Sequence, residues 1–176
     1  MNITTSGLNE GDFGLLYKVD GTPSTTLIDS VIVPNSGALT YAVENTLDGE
    51  FDFYVTATDV AGNRSVNSAI TAITIDQTAP DVSGVIIDLD NGSDTGFKNN
   101  DNLTNDTSPT FTVSGLVPTD SVYIYFNGAD SNKLKADATT ESFIGALTTD
   151  GSYIANVKSR DIAGNLSSAS SGLNFR

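Results

Sequence analysis

Two passages of the chain are nearly identical in sequence and lie 102 positions apart. Residues 59–63 (DVAGN) recur as residues 161–165 (DIAGN), and the strand-like runs that lead into them share the same offset. Earlier matches need slightly larger offsets, which reach 108 between the SGL triplets that begin at Ser6 and Ser114. Offsets that drift in this way are expected when loops differ in length between copies of one fold. The chain is therefore predicted to contain two copies of one domain.

The boundary between the copies is predicted in residues 74–81 (TIDQTAPD). Proline has no N–H to give to a sheet and fixes its own backbone, so Pro80 separates the domains by a short, stiff link. We predict one domain at residues 1–78 and a second at 79–176. Because Ile3 corresponds to a position deep in the second copy, the first copy is predicted to lack its first strand. The chain is interpreted as a slice through a longer array.

Alternation of apolar and polar residues predicts β-strands in both copies. Apolar side chains occupy every second position in residues 51–58 and again in 122–126. This spacing places them on one face of a strand and leaves the other face to water. Leu15, Tyr17 and Val19 are predicted to form the buried face of an equivalent strand.

Turn signals divide the chain into short strands. The pairs Asp20-Gly21 and Asn127-Gly128 each follow a strand-like run and favour two-residue hairpins, because both positions of such a turn need positive φ. About seven short strands in 100 residues is typical of an immunoglobulin-like sandwich without its disulfide. The predicted fold class is all-β, with two tandem immunoglobulin-like β-sandwiches in an elongated arrangement. Further strands are predicted at 29–33, 39–43, 69–75, 82–87, 110–113, 142–147 and 173–175.

The amino-acid composition excludes several classes of function. The chain has 8 Lys and Arg against 22 Asp and Glu, a formal charge of −14, and neither His nor Cys. Disulfides, Cys or His metal sites, histidine-based catalysis and haem ligation are thereby excluded. The negative charge repels nucleic-acid phosphates and anionic membranes, so we predict no nucleic-acid partner and no membrane insertion. No motif predicts catalytic residues, and we predict that the protein is not an enzyme.

The acidic residues are mostly aspartate, which favours turns and carries hard oxygen ligands close to the backbone. Five of them fall within 19 residues in which Lys98 is the single counter-charge: Asp88, Asp90, Asp94, Asp101 and Asp106. In a sandwich this loop joins the first two strands, so the carboxylates are predicted to crowd together. A hard cation with 6 to 8 oxygen ligands at roughly 2.3 to 2.6 Å relieves such repulsion, which predicts a Ca²⁺ site. The alternative is a solvated, flexible acidic loop.

A second acidic cluster is predicted from the topology of the sandwich. The loops after the second and sixth strands lie where the preceding linker enters, near Asp76 and Asp81. They bring Asp120 and the turn from Asp161 to Asn165, which are predicted to bind Ca²⁺ at the junction and stiffen it. The alternative role is structural: the turn aspartates accept backbone N–H bonds, while the glycine of each motif supplies positive φ. The two roles are compatible.

Several segments together resemble a known family. They are residues 48–63, residues 74–80 and residues 94–111, and they resemble the tandem bacterial immunoglobulin-like repeats of giant, calcium-dependent surface adhesins of the type I-secreted (RTX) and biofilm-associated types. The resemblance implies an extracellular module on the bacterial cell surface, with neighbouring repeats of the same chain as its partners. It also implies Ca²⁺ near the junctions and an adhesive tip elsewhere that binds host or biofilm ligands.

The predicted function is a calcium-stabilised extender repeat that projects this tip for adhesion or biofilm formation. The alternative is a module that itself binds a glycan or a protein, for which Tyr123 and Tyr125 offer outward aromatic rings. The complete set of predicted calcium ligands is Asp76, Asp81, Asp88, Asp90, Asp94, Asp101, Asp106, Asp120, Asp161 and Asn165.

Overall fold

The computed structural model describes residues 1–20, 24–44 and 47–176, and every regular element in them is a β-strand. The chain divides into two compact units, Met1–Gln77 and Thr78–Arg176, which are described here one at a time. Each unit packs two antiparallel sheets around its own apolar core. The predicted all-β class with tandem immunoglobulin-like sandwiches is confirmed. Within the described residues, no helix is long and apolar enough to span a membrane.

Unit 1 has a two-stranded sheet, β1-β4, and a four-stranded sheet, β3-β2-β5-β6. Its core is small, with the buried residues Leu16, Val33, Leu39, Tyr41, Val43, Phe53 and Val55. The strands are β1 (Asn2–Thr5), β2 (Phe13–Val19), β3 (Thr25–Ile32), β4 (Leu39–Ala42), β5 (Gly49–Thr58) and β6 (Thr71–Ile75).

Unit 2 has a three-stranded sheet, β11-β8-β7, and a four-stranded sheet, β10-β9-β12-β13. Phe111 lies at the centre of its core, with ring centroids 5.2 Å from Phe126 and 5.0 Å from Phe175. The strands are β7 (Ile86–Leu89), β8 (Thr110–Ser114), β9 (Ser121–Phe126), β10 (Ala129–Lys135), β11 (Thr140–Ile144), β12 (Tyr153–Arg160) and β13 (Leu173–Phe175).

The two units share one strand order when β1 to β6 are matched with β8 to β13. The register agrees as well, since Ile3 faces Tyr41 across β1 and β4 in the way that Phe111 faces Phe143 across β8 and β11. β7 is the difference: among the described residues of unit 1, no strand corresponds to it.

The hairpin predicted at Asn127-Gly128 is confirmed. Phe126 pairs with Ala129 across a two-residue turn, and the two turn residues have φ values of 50° and 81°. The alternation in β9 is also confirmed, with Val122, Ile124 and Phe126 buried. The other predicted hairpin involves Gly21, which lies outside the described residues.

The predicted inward face of β2 is wrong by one residue. Leu16 is fully buried, whereas Leu15, Tyr17 and Val19 are only partly covered. Consecutive apolar residues do not indicate which of them faces inward. In addition, the pairing of β2 with β3 shifts in register after Leu16. Tyr17 instead lies on the outer face, where its ring stacks on Tyr54 with centroids 5.2 Å apart.

The prediction that β5 has one wet face is also wrong. Its outer residues Tyr54 and Thr56 are 9% and 1% exposed. The Tyr17 ring covers the first of them, and Arg64 covers the second by donating from Nε to the Thr56 hydroxyl at 3.2 Å. An aromatic pair and an arginine therefore form a small apolar layer outside the sandwich.

Two strands were not predicted, and one begins later than expected. Neither β1 nor β10 shows a clear alternation of apolar and polar residues, and β10 is polar along most of its length. Strand β7 begins at Ile86, whereas the sequence predicts a strand from Val82. Val82 and Val85 are nevertheless buried in the core of unit 2.

Candidate functional site

The repeated motif forms the same closed turn in both units. In unit 2, Asp161 Oδ1 accepts from the backbone N–H groups of Gly164 at 2.7 Å and Asn165 at 2.8 Å, and Oδ2 accepts from the Asn165 side-chain amide at 3.0 Å. In unit 1, Asp59 holds Asn63 in the same way, at 2.8 and 2.9 Å. Glycine is required within the turn because φ is 89° at Gly62 and 98° at the equivalent Gly164. The predicted structural role of these aspartates is confirmed.

Two serines after each turn extend this arrangement, and the sequence analysis missed them. Ser167 accepts from the Ser159 N–H at 2.9 Å and donates to the Ser168 carbonyl at 2.6 Å. Ser170 accepts from the Val157 N–H at 3.0 Å. The hydroxyls thus accept hydrogen bonds from backbone N–H groups in the part of β12 that extends beyond its pairing with β13.

Unit 1 has the same pair of serines. Ser65 accepts from Ala57 N–H and Ser68 accepts from Val55 N–H, both at 2.9 Å. Their offset from the serines of unit 2 is again 102 residues, which is the signal that could have identified them.

The hydrogen bonds of the turns lower the pKa of both aspartates below the usual aspartate value. At Asp59 the largest cause is the Asn63 side-chain amide, helped by N–H groups of the turn. At Asp161 lost hydration raises the pKa, but donors from Asn165, Gly164 and Ala163 together outweigh it. A carboxylate with a depressed folded-state pKa contributes stability that is present above its unfolded pKa and is lost as pH falls through the folded value.

We expect acid unfolding to depend on these turns. With Asp59→Asn and Asp161→Asn combined, the loss of stability below about pH 3.8 should become shallower, because Asn keeps an acceptor oxygen that does not titrate in this range. Urea unfolding midpoints between pH 7 and pH 2.5 measure this. Asp88→Asn is the control, since that exposed carboxylate has no hydrogen bond within the described residues. An unchanged pH profile in the double variant would contradict the assignment.

The acidic loop between β7 and β8 is organised around Asp94. This carboxylate is only 3% exposed and accepts from the backbone N–H groups of Asn102 at 3.0 Å and Leu103 at 3.3 Å. Asp106 accepts from the Ser93 hydroxyl at 3.2 Å and from the Ser108 N–H at 2.8 Å. The loop thus uses its carboxylates as acceptors for its own donors.

The other three carboxylates of this loop differ in position. Asp90 accepts from the Thr112 hydroxyl on the neighbouring strand. Asp88 and Asp101 are exposed, and neither carboxylate has a hydrogen bond within the described residues. The structure therefore separates the five predicted ligands of this loop into three hydrogen-bonded carboxylates, of which Asp94 is buried, and an exposed pair.

The residues of the second predicted cluster belong to both units and are described here unit by unit. Asp120 is buried in unit 2, where it accepts from the Ser159 hydroxyl at 2.8 Å. Asp81 accepts from the N–H and the hydroxyl of Ser83 at 2.9 and 3.1 Å, and these bonds lower its pKa. Asp76 is exposed and follows β6 of unit 1. The proposed bridging of the two units by a metal stays a prediction.

The predicted calcium ligands do not gather into one group in the described part of the chain. Within residues 1–20, 24–44 and 47–176, no three Asp or Glu side chains are grouped so that they could hold a metal ion. The two buried carboxylates of the predicted set, Asp94 and Asp120, accept hydrogen bonds from the protein itself. The predicted Ca²⁺ ligands thus remain a prediction from the sequence.

The outward tyrosines of unit 2 are each accompanied by a lysine. The Lys133 ammonium lies 5.0 Å from the centre of the Tyr123 ring, and Lys158 lies 5.5 Å from that of Tyr125. Both rings are partly exposed. The cations are within the range of cation–π attraction, so part of each ring is already covered by the protein itself.

With this geometry the chain was compared with known proteins. Residues 81–176 match the bacterial Ig-like domain family, and the chain belongs to that family. No curated protein matches the chain.

Two solved structures are similar to the chain at low sequence identity. The fibronectin(III)-like modules of Clostridium thermocellum CbhA are 15% identical with a TM-score of 0.47, covering 99% of this chain and 93% of that one. A biofilm-associated protein, solved as its BSP domain, is 14% identical with a TM-score of 0.35, covering 99% of this chain. The chain spans only 27% of the length of that second structure. At these values neither similarity carries an argument about function.

Proposed function

We propose that the chain is an extender segment of a large bacterial surface adhesin. Its two Ig-like modules, residues 1–78 and 79–176, act in series on the outside of the cell and hold a binding tip away from the surface. Their partners are neighbouring repeats of the same chain, with no role for nucleic acid, membrane insertion or catalysis. Membership of the bacterial Ig-like family supports this proposal.

One observation carries the proposal: both units contain the same turn, closed by the same hydrogen bonds. The aspartate, the asparagine amide and two serine hydroxyls recur with the same partners in β5 and β12. A binding site is needed in only one module, whereas hydrogen bonds that stabilise the fold are needed in every module. A series of similar modules requires the residues that fix the fold to be repeated in each module.

Small-angle scattering of the full chain tests the extender role. A compact 176-residue domain has a radius of gyration of about 16 Å. We expect a value above about 20 Å for two modules in series, with a pair-distance distribution that has two maxima. A value near 16 Å would contradict the extender role.

Calcium stabilisation is a separate prediction, and the extender role does not depend on it. Calorimetric titration with Ca²⁺ tests it in the wild type and in Asp101→Ala and Asp161→Ala. Saturable heat and a melting temperature raised by several degrees, both reduced in these variants, are expected if Ca²⁺ binds. If neither Ca²⁺ nor a chelator changes the heat or the melting temperature, the calcium prediction fails.

The alternative function, binding of a glycan or a protein, depends on Tyr123 and Tyr125. Their partly exposed rings on adjacent outward positions of β9 offer a stacking surface. A glycan array or a pull-down signal that disappears in Tyr123→Ala and Tyr125→Ala would favour a binding module. Loss of the signal in both variants must occur without a change in melting temperature.

A further inference from the structure

The outer face of the four-stranded sheet in unit 2 concentrates positive charge in an acidic chain. Half of the eight basic residues lie on it, two on β10 and two on β12: Lys133, Lys135, Lys158 and Arg160. The strand between them is β9. Lys133 and Lys158 are both paired with Tyr123 in the register, and Lys135 and Arg160 are both paired with Ser121. The four cations therefore form two rows across β9.

These cations are accessible to a ligand. Three of them are exposed, and Lys158 is partly exposed. In the part of the chain that the structure describes, none of the four side chains is in a salt bridge. Asp130 is the only acidic residue in the sequences of β9, β10 and β12, and it pairs with Tyr125 at the opposite end of the face from Arg160. The two rows thus form a positive surface that attracts anions.

Aromatic rings lie between the two basic strands. Tyr123 and Tyr125 are two positions apart on β9, which places their Cα atoms about 7 Å apart on the same face. The ammonium groups of Lys133 and Lys158 are 5.0 and 5.5 Å from the centres of these two rings. A ligand above β9 would meet a flat apolar ring and a cation side by side.

Unit 1 has the same sheet without the four cations. The register of β2 with β3 and β5 places four uncharged residues at the equivalent positions: Ser30, Ile32, Thr56 and Thr58. Arg64 reaches this face of unit 1, where it lies 4.8 Å from the centre of the Tyr17 ring. The rows of unit 2 are therefore not required by the fold, and the mutual repulsion of their charges opposes stability. Such a feature, present in one module and absent from the other, indicates a binding surface.

We propose that the outer face of β9, β10 and β12 binds an acidic polysaccharide that contains uronic acid units. The polymer lies along β9, with its sugar rings on Tyr123 and Tyr125 and its carboxylates on the cations of β10 and β12. Ser121 and Asn156 are partly exposed beside the rings and offer hydrogen-bond partners to sugar hydroxyls. This site goes beyond the extender role and gives the alternative binding function a ligand class. The scattering experiment tests the extender role alone.

The face favours a glycan over other polyanions. An acidic peptide that binds by adding a strand needs free backbone groups, but those of β9 are already paired with β10 and β12 on its two sides. Double-stranded DNA carries one charge per about 1.7 Å of its axis, and a protein with a formal charge of −14 repels so dense a charge. A uronide instead combines flat rings, hydroxyls and carboxylates, which are the groups that this face can contact.

Fluorescence anisotropy with labelled oligomers of galacturonate and of mannuronate tests the proposal on the full chain. The methyl ester of each oligomer is the matched control, because it keeps the sugar rings and loses the charge. We expect saturable binding of at least one uronide and at least about tenfold weaker binding of its ester. Backbone amide chemical shifts should change in β9, β10 and β12, while the equivalent strands β2, β3 and β5 of unit 1 stay unchanged.

A pair of matched variants separates the face from the overall charge. Lys133→Gln should weaken binding about fivefold or more, because it removes a cation beside Tyr123. Lys98→Gln removes the same charge from an equally exposed position in the loop between β7 and β8, and its effect should stay within about twofold. Neither variant should change the melting temperature, since both side chains are exposed.

Four results would overturn the proposal. They are the absence of binding by either uronide, equal binding of a uronide and its ester, equal effects of the two lysine variants, and shift changes outside β9, β10 and β12. Polyglutamate and a single-stranded thymidine oligomer are measured in parallel, because an acidic peptide and stacked bases are the competing occupants. Tighter binding of either one than of the uronides would also overturn the proposal.

Discussion

Phe111→Ala is expected to unfold most of unit 2 at moderate temperature. The ring is fully buried between Phe126 and Phe175, so truncation removes apolar contacts and leaves a cavity in the sheet interface. Such a change costs about 3–5 kcal/mol, and each kcal/mol lowers the melting temperature of a domain of this size by about 4–8 °C. Calorimetry should show the transition of unit 2 lowered by more than about 12 °C.

The matched control is Phe97→Ala, because Phe97 has the same side chain but is 98% exposed. Its effect should stay within about 0.5 kcal/mol, as for other surface substitutions. Amide exchange assigned by residue shows whether the loss of protection is confined to residues 78–176. Equal destabilisation by both variants would contradict the assignment of Phe111 as the centre of the core.

Asp94→Ala is expected to cost about 2–4 kcal/mol, which is large for a loop residue. The carboxylate is buried and accepts from two backbone N–H groups, at Asn102 and Leu103, which would lose their charged acceptor. Urea unfolding with a chelator present measures the cost without any contribution from metal ions. Faster amide exchange at Leu103 should accompany it.

Asp88→Ala provides the comparison for this experiment. It removes the same charge from the same acidic region, but the carboxylate is exposed and has no hydrogen bond within the described residues. We expect a change within about 0.5 kcal/mol. If Asp88→Ala and Asp94→Ala have the same effect, charge repulsion rather than hydrogen bonding dominates the loop.

The sequence was sufficient to predict the fold class because its signals are local. Asn127-Gly128 demands positive φ at two successive positions, and the repeated motif fixes the equivalent turns of both units. The pairing register of a strand and the choice of its inward face depend on contacts with distant residues. The prediction of the inward face of β2 was wrong because consecutive apolar residues, including Leu15 and Leu16, are compatible with either face of a sheet. Only packing against the other sheet determines which of them is buried.

The acidic loop shows why the candidate site was harder to predict. The sequence reveals that carboxylates are near each other along the chain, but not which donors they meet in space. Asp94 turns inward to two backbone N–H groups, whereas Asp101 turns to solvent. The donors at Asn102 and Leu103 depend on a loop path with a φ of 58° at Asn102, which no side-chain pattern indicates.

The serine hydroxyls that bond to β5 and β12 have a consequence for an array of similar modules. Neighbouring repeats in one polypeptide are at high local concentration, and exposed strand margins invite domain swapping and aggregation between them. By occupying the N–H groups of Val55 and Val157, Ser68 and Ser170 deny that stretch to a strand from the next repeat. A chain with many such modules can then fold each one from its own residues as it emerges.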